Sequence, residues 1–474
     1  MKAMSIWALG ALVLSANALV LEKRQDGGPP LVVGLDTQRR HVVNPHLRDQ
    51  ERRRRRRDGH VQATLDNMQT LYFVNASVGN PPQQVRLHLD TGSSDLWLNT
   101  PNSALCREQD RPCAVSGTYS ANSSSTYSYV GSYFNISYVD GSGASGDYVT
   151  DTFSIGASRL DNFQFGIGYQ STAAQSILGI GYKSNEVQVN RAGLKPYDNL
   201  PAKMASQGLI RSNAFSLYLN SLQSSTGTIL FGGVDTEHYV GQLQTLPIQG
   251  ASNGHSEFLI TLTGVSLGST VLADNMALAV LLDSGSSLTY LPDAMVSQIF
   301  EMVGAVYQEQ EAVAFVDCRL AEVQANMTFT FSNPRITVNL SELVVDMLQI
   351  TGRRPTFANG VDACLFGIAP AGRGTNVLGD TFMRSAYIVY DLDNNEISLA
   401  QTRFNASTSN ILQIGSGKGA VPSAVGVASP VSATQGVSSG VNRGNNSGAA
   451  LRPLLAAVAA LTASTLVGAL LCVV

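Results

Sequence analysis

Two aspartates in this chain stand in the same local sequence. Leu87-His88-Leu89-Asp90-Thr91-Gly92-Ser93-Ser94 returns 193 positions later as Val280-Leu281-Leu282-Asp283-Ser284-Gly285-Ser286-Ser287. Each copy reads as a buried apolar strand that turns sharply at glycine, leaving a carboxylate at the mouth of a fold with hydroxyls beside it. One Asp-Thr-Gly or Asp-Ser-Gly alone is an ordinary turn, since Asp and Ser bond their own backbone and Gly supplies positive φ. Two copies about one domain length apart, each with an apolar lead-in and a Ser-Ser follow-up, point instead to two turns that face each other.

Facing turns would make Asp90 and Asp283 a carboxylate pair. Repulsion between like charges raises one pKa, while bonds from flanking hydroxyls and amides hold the other low, so the two share one proton. The ionised member can take a proton from a water attacking a peptide carbonyl, and the protonated member can donate to the oxyanion or the leaving nitrogen. Thr91, Ser93, Ser284 and Ser286 are expected to hydrogen-bond around the pair and tune it, with Gly92 and Gly285 permitting the turns. The nucleophile is water and protein carboxyls move the protons, so no cofactor is needed. A metal site is not expected, because the cysteines lack paired CxxC spacing and the six histidines lack spacing such as HExxH.

Around these motifs the chain resembles the pepsin-like aspartic endopeptidases over about residues 71–404. Tyr72-Phe73-Val74-Asn75-Ala76-Ser77-Val78-Gly79-Asn80-Pro81-Pro82-Gln83 resembles the family's opening hairpin, and Asp95-Leu96-Trp97-Leu98 the strand that carries its tryptophan. Ile136-Ser137-Tyr138-Val139-Asp140-Gly141-Ser142 is similar to the flap that closes over substrate, with Tyr138 as the flap tyrosine. Ile177-Leu178-Gly179-Ile180-Gly181 and Val377-Leu378-Gly379-Asp380 resemble the segments that thread behind the catalytic loops. The resemblance implies a mainly β, bilobal pepsin-like fold with its active site in the cleft between two β-rich lobes. It also implies catalysis by Asp90 and Asp283 on polypeptide substrates at acidic pH, with Tyr138, Asp140 and Gly141 closing over them. The shared proton is the usual account of that family's dyad and carries over with it.

The elements that must position these groups are mostly strands. Gly is abundant at 44 residues, charge is low at 14%, and alternating runs such as Phe258-Leu259-Ile260-Thr261-Leu262-Thr263 and Ile397-Ser398-Leu399-Ala400 recur between turn clusters. Helical signals are confined to 200–208, which ends in glycine, and 293–303, which opens on Asp. With its ends removed, the chain leaves enough residues for two lobes, an N-terminal one at 58–240 carrying Asp90 and the flap, and a C-terminal one at 241–404 carrying Asp283.

The amino terminus reads as an address label. Lys2, the apolar run 6–14 and Ala16-Asn17-Ala18 give a signal peptide at 1–18, a transmembrane helix being the competing reading. Residues 19–57 read as a basic propeptide, cut by a protease that recognises basic pairs at the run of six arginines 52–57 or at Lys23-Arg24. A nucleic-acid patch conflicts with the signal peptide, and nucleic acid is not expected as a partner. Residues 1–57 hold 12 Lys+Arg and 5 Asp+Glu, net +7, whereas the remaining 417 hold 19 and 30, net −11. Related zymogens use such a basic propeptide to cover the cleft at neutral pH and release it in acid.

At the other end, 405–446 reads as a Ser/Gly-rich stalk and 447–474 as a glycosylphosphatidylinositol (GPI) anchor signal, removed in the mature form, with Asn446 as the attachment residue. A tail-anchored helix is the alternative, since the terminal apolar run is long enough to span. Asn-x-Ser/Thr acceptors stand at Asn75, Asn122, Asn135, Asn326, Asn339, Asn405 and Asn445. Glycans at Asn75 and Asn135 would crowd the site, so low occupancy is expected there. Five cysteines suggest two disulfides with one left over. The residues leave the pairing open, and the family resemblance implies Cys106 with Cys113 and Cys318 with Cys364.

Together these signals resemble the fungal GPI-anchored yapsin-type proteases, a secretory product held as a monomer at the plasma membrane or cell wall. Only six residues separate Cys106 from Cys113, where some members of that group carry a long insertion. Cleavage after basic residues is therefore the part of the resemblance that carries over least. The rival from another class is an inactive pepsin-fold surface or wall-binding protein, against which stand both aspartates, their hydroxyls and the flap tyrosine.

Overall fold

The computed structural model describes residues 32–41, 70–138, 142–250, 254–309, 313–348 and 352–436. It is mostly β, as the alternating runs require. Both Asp motifs sit in the same three-strand arrangement. Gln83–Asp90 runs parallel to Ser176–Gly179, which is antiparallel to Leu96–Asn99, so the strand from a later Leu-Gly segment lies between the strands entering and leaving the Asp90 loop. In the other half Leu278–Leu282 runs parallel to Val377–Leu378, which pairs antiparallel with Thr289–Leu291. The chain at the end of the intervening strand comes so close to the loop that only glycine fits, as Gly179 in the first half and as Gly379 just past the strand in the second. A methyl group on Gly379 would stand 2.3 Å from the Ser286 carbonyl oxygen, and one on Gly179 2.6 Å from the Ser94 nitrogen.

The first half nearly closes on itself, because Thr70–Val78 pairs both with Gln83–Asp90 and with Gly143–Ile155. The second half builds one five-stranded and two four-stranded sheets. Between them, Ala214–Tyr218, Thr226–Phe231, Tyr239–Pro247, Ala386–Asp391 and Glu396–Thr402 lie in one 14-stranded sheet with the strands of the first half. The boundary expected at 240/241 therefore falls inside a strand, because a shared sheet has no edge at which to divide. Disulfides join Cys106 to Cys113 and Cys318 to Cys364, each clipping a loop. The helices at Leu200–Ser206 and Asp293–Val303 lie where glycine and Asp mark them, and Gly304 closes the second in the left-handed conformation at φ 65°.

Two regions depart from the sequence reading. Val33–His41, inside the stretch expected to be a basic propeptide, is a strand inserted between Thr226–Phe231 and Thr70–Val78. Leu35 and Thr37 are buried while Asp36 and Gln38 are exposed, a period-two pattern too short and too charged to stand out in sequence. Much of the expected stalk is also packed down. Ile411–Gln413 pairs with Gly233–Asp235, and Ala424–Gly426 runs parallel to Tyr239–Pro247. Ile414 and Val421 are buried anchors, and the Asp235 carboxylate accepts bonds from the Ser409 hydroxyl at 2.6 Å and the Asn410 amide at 2.9 Å. Isolated anchors among Ser and Gly leave no periodic signal. The signal peptide, the arginine run, Cys472 and the GPI tail lie outside the described residues.

Glu342 and Arg384 form a buried ion pair, with Arg384 Nε donating to Glu342 Oε2 at 2.7 Å and the Leu222 amide donating to the same carboxylate. Removing one partner leaves the other charged and dry. Glu342→Ala is expected to lower unfolding stability by about 3–5 kcal/mol, and the paired change Glu342→Leu with Arg384→Met to cost much less. Denaturant melts of both proteins decide it, and equal losses would refute the account.

Candidate active site

Asp90 ends its strand and Asp283 follows its own, both nearly buried. Each carboxylate is held by its own loop in the same way. The Gly92 amide donates to Asp90 Oδ1 at 2.8 Å and the Ser93 hydroxyl to Oδ2 at 2.5 Å. The Gly285 amide donates to Asp283 Oδ1 at 2.8 Å and the Ser286 hydroxyl to Oδ2 at 2.8 Å. The two carboxylates meet across the glycines. A methyl group on Gly92 would lie 2.6 Å from Asp283 Oδ1, and one on Gly285 2.5 Å from Asp90 Oδ1. No side chain fits there without pushing the carboxylates out of place.

Beneath them the loops are cross-linked. Thr91 Oγ1 accepts from the Ser284 amide at 2.9 Å and donates to the Leu282 carbonyl at 2.9 Å. Ser284 Oγ accepts from the Thr91 amide at 3.2 Å and donates to the Leu89 carbonyl at 3.0 Å. Each carboxylate thus faces an amide and a hydroxyl donor on its own loop and a like group across the glycines. The arrangement can hold one proton between two acids and use both forms together.

Trp97 is fully buried, and its Nε1–H donates to the Tyr138 hydroxyl at 2.7 Å, pinning the expected flap tyrosine. The hairpin of Ser128–Ser137 and Gly143–Ile155 is closed there by a Tyr138 amide to Ser142 carbonyl bond of 2.8 Å. Asp140 and Gly141 fall outside the described residues, as do Asn445 and Asn446. Among the other acceptor asparagines, Asn75, Asn122, Asn135, Asn339 and Asn405 are exposed and Asn326 is half-buried. Asn135 lies on the face of its strand opposite Phe134 and Ile136, which pack with Trp97 and Tyr138. A group on Asn135 would therefore not crowd the Tyr138 face, because alternation turns it outward.

Sequence reasoning missed a second set of acids beside the hairpin. Asp95 accepts from the Tyr148 hydroxyl at 2.6 Å, the Tyr197 hydroxyl at 2.9 Å and the Val187 amide at 2.9 Å. Glu186 is fully buried and accepts the Tyr197 amide at 2.9 Å, while its Oε1 has no hydrogen-bond partner among the described residues. Burial pushes the Glu186 carboxyl up to about 9, assisted by the Asp95 charge, and burial also raises Asp95. Adjacency to the Asp90 loop was the signal for Asp95. Glu186, about 90 residues away in sequence, had none. Tyr390, which no local motif singles out, places a buried hydroxyl beneath the pair beside Thr91, and burial and the Asp283 charge push that hydroxyl up.

The sequence profile of the family described as eukaryotic aspartyl protease matches residues 71–402. A protein of Aspergillus oryzae called probable aspartic-type endopeptidase opsB is 54% identical over 421 residues, covering 88% of this chain and 84% of its own. Its namesake in Aspergillus fumigatus is 52% identical over 432 residues, covering 90% and 87%. The crystal structure of an aspartic proteinase from Irpex lacteus superposes with a TM-score of 0.60 at 21% identity, covering 80% of this chain and all of that one, a likeness of fold.

Because the Glu186 carboxyl lies near 9 in the folded protein against an ordinary 4.5, its neutral form is favoured by folding. Its contribution to stability is complete below about 4.5 and is lost as pH climbs through about 9. The melting temperature is therefore expected to fall across that window, and to fall less in Glu186→Gln. Parallel curves for the two proteins would refute this role.

Proposed function

The chain belongs to the eukaryotic aspartyl protease family and is an aspartic-type endopeptidase, and from that premise we propose that Asp90 and Asp283 carry its chemistry. The observation that supports this is the reciprocal geometry, in which each loop's glycine lies against the other loop's carboxylate. A water between the carboxylates attacks the scissile carbonyl carbon and gives its proton to the ionised acid, while the protonated acid donates to the carbonyl oxygen. The resulting gem-diol breaks down as the acid that took the water's proton passes it to the amide nitrogen, the other, now ionised, acid takes a proton from a gem-diol hydroxyl and the C–N bond cleaves, releasing an amine and a carboxylic acid. Both steps need one proton on the pair, which favours acidic pH.

Tyr138, with Asp140 and Gly141, forms the flap that shuts water out during turnover. We assign residues 1–18 to secretion, 19–57 to a basic propeptide removed by a basic-pair protease, and the carboxyl tail to GPI anchorage at Asn446, so the enzyme works at the cell surface. A cut within 52–57 would leave the strand at Val33–His41 held in the sheet only non-covalently, by its hydrogen bonds and the burial of Leu35. Net acidity outside the leader favours substrates with basic residues, and this is the preference to test first.

The test is peptide-library cleavage by protein truncated before Asn445, scanned from about pH 3 to about pH 8. Asp90→Asn and Asp283→Asn are each expected to cut turnover at least about a thousandfold without unfolding the protein. Gly285→Ala should do nearly as much, because its methyl group would occupy the space of Asp90 Oδ1. Activity retained in either Asn variant would refute the dyad.

A further inference from the structure

The outer face of the hairpin carries a groove that the reaction does not use. Its volume is about 510 Å3, and Tyr133, Asn135, Ser145, Asp147, Arg191 and Ala192 are among its lining residues. Tyr133 in its wall and Tyr169 beside it, bonded to the lining Asp147, each pack against a glycine. A methyl group on Gly131 would meet Tyr133 Cε1 at 2.2 Å, and one on Gly146 would meet Tyr169 Cδ2 at 2.9 Å. The 43% exposed Tyr169 donates its hydroxyl to Asp147 Oδ2 at 2.9 Å, and the Ser132 hydroxyl donates to Asp147 Oδ1 at 2.6 Å. A flat phenol beside a fixed carboxylate suits a pyranose ring, whose C–H face packs on the aromatic face while its hydroxyls donate to the carboxylate.

What would fill the groove is written into its wall. Asn135 is exposed and opens Asn135-Ile136-Ser137, an acceptor for N-linked oligosaccharide. We propose that Asn135 carries an N-glycan whose first sugars lie in this groove, stacked on Tyr133 and Tyr169 and hydrogen-bonded to Asp147. In attachment the Asn135 side-chain nitrogen loses one proton and bonds the anomeric carbon of a lipid pyrophosphate oligosaccharide, whose pyrophosphate leaves. The groove spans two elements. Ser132, Tyr133 and Asp147 belong to the hairpin, whereas Arg191 and Ala192 follow the helical turn Val187–Asn190, tied to the body through Asp95. A glycan seated there braces the hairpin against the body. Its kinetic consequence, slower flap opening, rests on the protease reading; attachment and bracing do not.

The experiment uses the full chain secreted from a fungal host. Glycopeptide mass spectrometry reads occupancy at Asn135, and hydrogen–deuterium exchange reads the hairpin over residues 128–155. Asn135→Gln and Ser137→Ala are each expected to speed exchange there about threefold or more, with the rest of the molecule unchanged. Tyr169→Ala, with its sequon intact, should produce a similar rise in the glycosylated protein and none further in the Asn135→Gln background. An unmodified Asn135, exchange indifferent to losing the glycan, or additive effects of the two substitutions would overturn the proposal. None of these readouts depends on peptide cleavage, so a failed dyad and a failed brace are distinguishable.

Discussion

The four hydrogen bonds joining Thr91 and Ser284 are what the remainder of the site depends on. Each hydroxyl receives an amide from the opposite loop and donates to a carbonyl of the opposite strand. Only a group that is donor and acceptor at once can do both, which is why the second motif position holds Thr in one copy and Ser in the other. The cross-link fixes the loops to each other rather than each to its own lobe. The carboxylates above it therefore keep their separation even if the two halves flex.

That cross-link needs a rigid floor, and the shared sheet supplies one. Tyr390 on Ala386–Asp391 stacks on Phe215 of the neighbouring strand at 4.7 Å and packs tilted against Phe258 at 4.6 Å, so aromatic packing joins the two halves under the loops. Behind the Asp283 loop, the Asp380 amide donates to the Ser286 carbonyl at 2.9 Å. Behind the Asp90 loop, the Gly181 amide donates to the Ser93 carbonyl at 2.8 Å. Each loop is thus held from below by its partner and from behind by a strand that only glycine lets approach.

This organisation was legible where chemistry forces residue identity. The doubled motif, the Gly-ended segments behind each loop, the Trp97 strand and the two longer helices each leave a signature, because glycine or a paired hydroxyl has no substitute there. The Val33–His41 strand and the 409–426 segment were hidden because their pairing is set by backbone hydrogen bonds and a few scattered apolar anchors. Backbone pairing places little demand on side-chain type. The Asp95 and Glu186 cluster was hidden for a third reason: its members come from separate parts of the chain, and no local pattern announces a contact between them.

With that cluster, acid dependence under the proposed reaction belongs to two sites with different physics. At the dyad a proton must be shared for chemistry. Beside the hairpin, the neutral form of Glu186 is favoured because its second oxygen is buried with no donor to meet it. Asp95 binds phenols from Gly143–Ile155 and from residue 197 together with the Val187 amide, and directly follows the Ser93-Ser94 end of the first motif. One carboxylate thus joins the Asp90 loop, the hairpin and the outer helical turn. Ionisation of Glu186 would set a second negative charge against it in a dry space and loosen the hairpin's anchorage. The proposed reaction, which needs one proton on the Asp90 and Asp283 pair, is thus tied to acid, whereas the scaffold around the flap gives way only as Glu186 ionises toward about 9.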